Sequence, residues 1–255
     1  MLMIPDAIWN EIKNIIFDEM HSRGRPQSDP RLVLSGILYI LKTGSQWHCL
    51  PAVYGKATTV HGRFRSWIKS KVFENIFQRS IDASIKIAGK PECFLIDTSF
   101  SKAPLSKFAG KNPTDRGRNG VKRSVIIDWN KTVLSIIVSA ANKHDFNLLT
   151  PHIKKIKQFL NTRKVILSDS AWDSQKLKKE LLEKNLVLIS STNIRRNKSR
   201  DRFYPKGRWK IEQFFGIQQW YRGIKTCWSK CENSFLALCQ MASSIHNFKL
   251  AGIFG

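Results

Sequence analysis

Acidic residues are scarce in this chain: 19 Asp and Glu stand against 43 Lys and Arg, for a formal net charge of +24. A surface that basic repels itself unless it meets a polyanion, so the composition points to DNA or RNA. Long apolar runs are also missing. None reaches the roughly 18 to 20 residues that a bilayer-spanning helix needs, and no membrane partner is expected. The start, Met1-Leu2-Met3-Ile4-Pro5-Asp6, has neither the basic opening nor the apolar stretch of a secretory signal. Cysteine is sparse: five residues, an odd number, with Cys227, Cys231 and Cys239 near the end and no CxxC pair. Such spacing argues against structural zinc and fits reduced thiols in a cytoplasmic protein. What is present is a globular composition, 42% hydrophobic over 255 residues, enough for one large or two small domains.

The first ninety residues read as helices. Ile8, Trp9, Ile12, Ile15 and Ile16 form one apolar helical face, with Asp6 as the expected N-cap. A turn-rich basic link, Arg23 to Pro30, leads to a helix over about Arg31 to Lys42, with Asp29 as cap, Pro30 in the first turn and Gly44 as stop. That helix is apolar almost all round, as a buried core helix is. Thr58 to Ser70 carries His61, Arg63, Arg65 and Lys69 opposite Phe64, Trp67 and Ile68. A basic amphipathic helix that follows another helix suits DNA reading, and equally a solvated face in a basic protein.

From Glu92 the pattern turns to strands. Phe94-Leu95-Ile96 is a first strand, followed by a Gly- and base-rich loop over 110–120. Arg123–Asp128 and Val133–Val138 flank Trp129-Asn130-Lys131 as a hairpin with Asn130 in the turn. Helix, strand, helix, strand follow over Leu148–Leu160, Val165–Leu167, Ser174–Lys184 and Leu186–Ile189. A basic loop, Arg195–Arg208, precedes helices at Arg208–Trp220 and Asn233–Leu250. The order predicts an α/β fold, a mixed sheet flanked by helices. The expected division is a helical N-terminal region, 1–90, and a catalytic region, 91–255.

Three acids carry the chemistry. Asp97 and Asp169 close the apolar runs Cys93–Asp97 and Val165–Asp169, and Glu212 lies in a helical run. An acid at the end of an apolar strand must be paired or bind a metal. Three that converge would hold hard divalent cations, which prefer oxygen ligands.

The run from Gly110 to Arg123, which contains Asn112-Pro113-Thr114-Asp115-Arg116-Gly117, followed by Ala141-Asn142-Lys143-His144-Asp145, resembles the DDE transposases of the insertion-sequence-five (IS4/IS5-type) group of bacterial insertion elements. So does the block from Gly24-Arg25-Pro26 through Gly44, Trp47 and Leu50-Pro51. The resemblance spans about residues 20 to 250. It implies an RNase H-like catalytic domain, for which a mixed five-stranded sheet is expected. It also implies phosphodiester cleavage and strand transfer at the ends of an insertion sequence, with Mg²⁺, or Mn²⁺, as cofactor, two ions being expected. The matching acids are Asp97, Asp169 and Glu212, as catalytic residues and metal ligands, with Arg208 at the family's Arg position. Asp97 is expected to bridge the ions, with Asp169 on one side and Glu212 on the other. Departures are Ala171-Trp172 for the usual Gly-Tyr, Tyr204-Pro205 around the family's Tyr, and Gln219 for its Lys.

The expected partner is double-stranded DNA, the element's terminal repeats and its target, held by a homodimer in the synaptic complex. The expected location is the bacterial cytoplasm, on the nucleoid when bound to DNA. DNA contacts are expected from Lys111, Arg116, Arg118, Lys122 and Arg123, from Arg195, Arg196, Lys198, Arg200 and Arg202, from Arg208, and from Arg63 and Arg65. Asp128 reads as a hairpin-turn residue, Asp115 as the ion-pair partner of a neighbouring arginine, Asp173 as a helix N-terminal residue, and His144-Asp145 as a supporting pair. Trp172 reads as core or as a base-stacking residue. A second reading of the whole is a remnant that binds DNA ends without cutting. A third, an RNase H-like nuclease on RNA–DNA hybrids, is disfavoured by the Asn-Pro-Thr-Asp-Arg-Gly block.

Overall fold

A computed structural model describes residues 1–19, 28–113, 115–192 and 203–254. Among the described residues four α-helices come first: α1 (Asp6–Phe17), α2 (Pro30–Thr43), α3 (Ala57–Lys69) and α4 (Val72–Ala88). The α2 caps are those expected. The Asp29 side chain accepts the Arg31 N–H at 2.8 Å, Pro30 opens the first turn, and Gly44 takes the left-handed conformation with its N–H on the Ile40 carbonyl. At α1 the expectation fails. Pro5 is the N-cap and Asp6 the first helical residue, its carboxylate drawn off to Arg31.

Among the described residues the sheet has six strands: β1 (Cys93–Lys102), β2 (Gly110–Lys111), β3 (Asn119–Asp128), β4 (Val133–Ala140), β5 (Lys164–Ser168) and β6 (Leu186–Ser190). β1 lies between antiparallel β3 and parallel β5, β6 follows β5, and β4 pairs with the far edge of β3. Five strands therefore run β4-β3-β1-β5-β6 with only β3 reversed, an RNase H-like arrangement. The sixth, β2, is a two-residue strand on β3 inside the segment expected to be loop.

Helices α5 (Phe146–Ile156), α6 (Gln175–Leu182), α7 (Trp209–Gln218), α8 (Arg222–Lys225) and α9 (Glu232–Leu250) flank the sheet. α9 is the pivot of the molecule, packing on both α4 and β4. Phe235 and Phe248 are fully buried on it, each contributing about 2 kcal/mol of apolar burial. Asn247 on α9 completes the join through polar contacts. Its Oδ1 accepts the Val133 N–H at 2.8 Å, and its Nδ2 donates to the Val133 carbonyl and to Ser80 Oγ on α4. One apolar core thus runs from α1 to the far edge of the sheet.

Two polar residues fix the hairpin side. His152 on α5 is buried between Ser135 (2.8 Å) and Ser124 (2.9 Å), and burial pushes its imidazole down to about 3. Asp128 takes the hairpin role read from sequence, accepting the Thr132 N–H at 2.7 Å while Lys131 adopts positive φ. No described helix is long and apolar enough to cross a membrane.

Candidate active site

β1 is longer than its apolar core predicts, and this moves Asp97. The residue is the fifth of ten, opposite Val125 on β3, rather than the end of a strand. The strand continues because Thr98–Lys102 still pair with β3 and because Ser101 Oγ donates to the Ile224 carbonyl. Asp169 does end its strand, and its Oδ1 accepts the Ala171 N–H at 3.0 Å to cap the short turn Ser170–Trp172. β1 and β5 pair in parallel, with Leu95 opposite Leu167. The observed pairing ends there, and Asp97 lies near enough to Asp169 for the two charges to interact.

Glu212 comes from the first turn of α7, which packs against β1. Arg208, the N-cap of α7, lies between the acids: its guanidinium is 3.6 Å from Asp97 Oδ2 and 3.9 Å from Glu212 Oε1. These are loose contacts, and Arg208 Nε is buried without a hydrogen-bond partner. Burial lifts the Asp97 carboxyl to about 6; the Thr98 N–H and Arg208 oppose the rise, while Asp169 and Glu212 add to it. Asp169 is raised too, first by burial and then by Asp145, against the Ala171 N–H and Arg208. Clustered acids short of positive charge are what a bound divalent cation would correct.

The donor set therefore fits Mg²⁺ or Mn²⁺ by chemistry, being all carboxylate oxygen. Its spacing is a different matter. Among the described residues, no group of three His, Cys, Asp or Glu stands close enough to hold a metal ion. Arg208 takes up the space between two of the acids, and Glu212, with 62% of its side chain exposed, points largely into solvent.

The expected DNA contacts divide. Lys111, Arg116 and Arg118 are exposed, with Arg118 3.7 Å from Asp115, the ion pair read from sequence. Lys122 is tied to Asp145 at 2.9 Å and to the Lys143 carbonyl. Arg63 is half-buried and Arg65 exposed on α3, where His61 stacks on Trp47. Arg195, Arg196, Lys198, Arg200 and Arg202 lie outside the described residues.

Arg123 is a correction. It is 2% exposed and cannot reach a surface phosphate. Its position opposite Ser99 turns it inward beneath α7, where it donates to Ser99 Oγ at 2.9 Å and lies 5.7 Å from the Phe215 ring centre. Two aromatic and acidic expectations also resolve. Trp172 is 2% exposed and is core. Asp173 precedes the N-cap of α6 and accepts from Lys178 and from Ser190 on β6.

A neighbouring feature was invisible in the sequence. The hairpin tip meets the start of α7, with Lys210 Nζ 4.6 Å from the Trp129 ring centre and Lys131 Nζ 5.1 Å from that of Trp209. The two segments are about eighty residues apart in sequence, and no local pattern links them.

Comparison with known families decides the ancestry. The family model described as "Transposase DDE domain" matches residues 88–247, and that described as "Putative transposase of IS4/5 family" matches residues 4–77. The chain belongs to the DDE transposases of the IS4/IS5 group. Among curated relatives of this family, it is 28% identical over 139 residues to the "Putative transposase for insertion sequence element IS402" of Burkholderia cepacia, covering 52% of this chain and 63% of that protein. It is 32% identical over 82 residues to an IS402 16.2 kDa protein of the same organism, covering 30% of this chain and 56% of that one. The chain thus spans about three fifths of the length of the curated relatives it matches. Solved structures similar to it include a piggyBac transposase synaptic complex with hairpin DNA, at TM-score 0.42 and 15% identity, covering 98% of this chain and 75% of that one. The catalytic domain of Mos1 mariner transposase is similar at TM-score 0.29 and 8% identity, over 72% of this chain and 93% of that one.

Proposed function

We propose that this DDE-family chain is a DNA transposase that cleaves phosphodiesters at the ends of an insertion sequence and joins the freed strands to target DNA. The observation that carries the reading is that Arg208 reaches both Asp97 and Glu212, with Asp169 near enough for its charge to interact with Asp97 and Arg208, in a chain of this family. Asp97, Asp169 and Glu212 would hold divalent cations, Mg²⁺ or Mn²⁺, which activate the attacking oxygen and stabilise the leaving one. Arg208 would turn from the acids to a DNA phosphate, a better partner for a guanidinium than two loose carboxylate contacts. Glu212, exposed on the first turn of α7, would then turn into the space that Arg208 vacates.

The partner in this proposal is double-stranded DNA, with residues 1–90 as a binding region and 91–255 as the cutting region. Exposed Lys111, Arg116, Arg118 and Arg65 would contact the backbone, adding affinity and salt dependence rather than sequence choice. Cutting two ends in one event calls for a homodimer. In this reading the protein works in the bacterial cytoplasm and lies on the nucleoid when bound to DNA.

One observation favours the second reading, an end-binding protein that does not cut: no three described acids stand at metal-holding distance. Cleavage separates the two. A duplex carrying the gene's own flanks is incubated with Mg²⁺ or Mn²⁺ and either wild type or Asp169→Asn. Cutting at the flanks by wild type alone supports the transposase. Binding without cutting by both proteins supports the second reading. Equal cutting by both removes Asp169 from the site.

A further inference from the structure

We propose that the cavity enclosed by the α3–α4 turn, α5 and the start of α9 binds a phosphate group, held by Lys69, Lys71 and Lys155 and by the buried amide of Gln240. The cavity shares no lining residue with the three acids, and the inference does not depend on the cutting activity proposed above.

The cavity measures about 360 Å³, within the range that holds small ligands. The first turn of α4 forms one wall, with Lys69 and Lys71 just ahead of it. A helix start carries the positive end of the backbone dipole, where a cation is unfavourable and an anion is favoured. Lys71 is nevertheless the N-cap, and no side chain there bonds to the first turn. Lys71 also holds a φ of 61°, a conformation that glycine takes at less cost. The facing wall supplies a third ammonium. Lys155 of α5 donates from Nζ to the Ile136 carbonyl on β4 at 3.3 Å. Desolvation holds its ammonium below the usual lysine range, against the pull of Glu74. None of the three lysines has an ion-pair partner among the described residues. Glu74, itself exposed, is the one acid that lines the cavity. Three ammoniums and a helix start against one carboxylate leave positive charge that an anion would balance.

An independent feature on the third wall also calls for a ligand. Gln240 of α9 is 6% exposed and lines the cavity. Its side-chain amide has no hydrogen-bond partner among the described residues. A buried amide left unpaired is costly, and a ligand oxygen that accepts from Nε2 removes that cost.

The chemistry selects the ligand. Ammoniums on two sides and an amide on a third converge on one space, and a phosphate group offers several acceptor oxygens in different directions. That phosphate could belong to a free diphosphate or to a DNA backbone. Because the walls come from α4, α5 and α9, a bound phosphate ties the helical region to the sheet side, and binding registers as stability.

The test follows thermal unfolding of the full chain as pyrophosphate is added, with chloride matching the ionic strength. The wild-type midpoint should rise by about 5 °C at saturation. Lys155→Met and Gln240→Leu should lose most of that rise, while Lys86→Met, in the last turn of α4, should keep it. Lys71→Gly gives a signature that damage to the fold does not produce. Without the anion it should be at least as stable as wild type, because glycine relieves the positive φ, yet its affinity for pyrophosphate should fall about fivefold. Equal rises in wild type and in all the site variants would overturn the site in favour of diffuse attraction to a basic surface. Wild-type affinity in Lys71→Gly would overturn it as well. Added duplex DNA identifies the source of the phosphate. Displacement of pyrophosphate by the duplex, with a salt slope lower by about 1 in Lys155→Met, supports the site with the DNA backbone as its ligand. Independent binding of the two, with the slope unchanged, supports the site with a free ligand. None of these readouts involves cleavage, so failure of the transposase reading would leave the site standing.

Discussion

Asp97 and Asp128 are both lifted to about 6 by burial, yet they sit in regions of opposite character. Asp128 closes the β3–β4 hairpin, fully buried, with the Thr132 N–H on its carboxylate and Ser84, Thr132 and Asn247 hydrogen-bonded close by. Asp97 lies in a shallow part of the sheet, with two other acids and one arginine as company. A raised carboxyl thus does not by itself mark a reactive site. What distinguishes the two is access and neighbours: a second and third acid within reach of solvent, against backbone donors sealed in a core.

The largest expected effect tests that distinction through chemistry. With Mg²⁺ present, Asp97→Asn should cut cleavage by about 10³-fold, since metal-held charge supplies several kcal/mol to the transition state. Asp128→Asn should leave cleavage per folded molecule within about twofold, because it lies beyond the reacting groups. Equal losses in a single-turnover assay would erase the contrast.

The next effect is on folding. His152→Ala removes a buried ring and strands two buried hydroxyls, so urea denaturation should report a loss of about 3 kcal/mol. Glu212→Gln, on an exposed side chain, should cost well under ~1 kcal/mol.

Acid titration sharpens the comparison further. Folded Asp128 holds its proton to about 6, above its ordinary 3.8, so the folded state binds more protons between those values. Its contribution therefore falls as pH rises from about 4 to 6, and stays low above that. Measured without metal, wild type minus Asp128→Asn should decline across that window, by on the order of 2 kcal/mol. His152 acts with the opposite sign. Its folded value of about 3 lies below its ordinary 6.5, so its contribution is lost as pH falls through that range.

The smallest effects concern the two arginines near the acids. Arg208→Gln should lower the salt slope of DNA binding by about 1, the signature of one phosphate contact. Arg123→Met should leave the slope unchanged, because the buried guanidinium meets no phosphate. A fall in slope for Arg123→Met in filter binding would show that the buried arginine emerges to meet DNA.

Much of the fold was legible locally. The α2 caps at Asp29, Pro30 and Gly44, the hairpin around Asn130 and the alternation of strands with helices follow from backbone chemistry within a few residues. Asp97 and Asp169 stood out in the sequence because apolar runs that end in carboxylates are poor packing choices. β1 was read too short because only its first half is continuously apolar, while Thr98–Lys102 are held by pairing with β3. Arg123 was misread because its fate is set by the register that puts it opposite Ser99, under α7.

The sequence by itself determined the order of elements, the basic surface and which residue types could bind metal and phosphate, since each depends on neighbours along the chain or on composition alone. Only the tertiary structure decided that Asp97 and Asp169 come from neighbouring strands, that Arg208 stands between Asp97 and Glu212, and that α9 joins the helical region to the sheet. Those depend on strand register and helix packing between segments tens of residues apart, where a shift of one residue would turn every side chain to the other face.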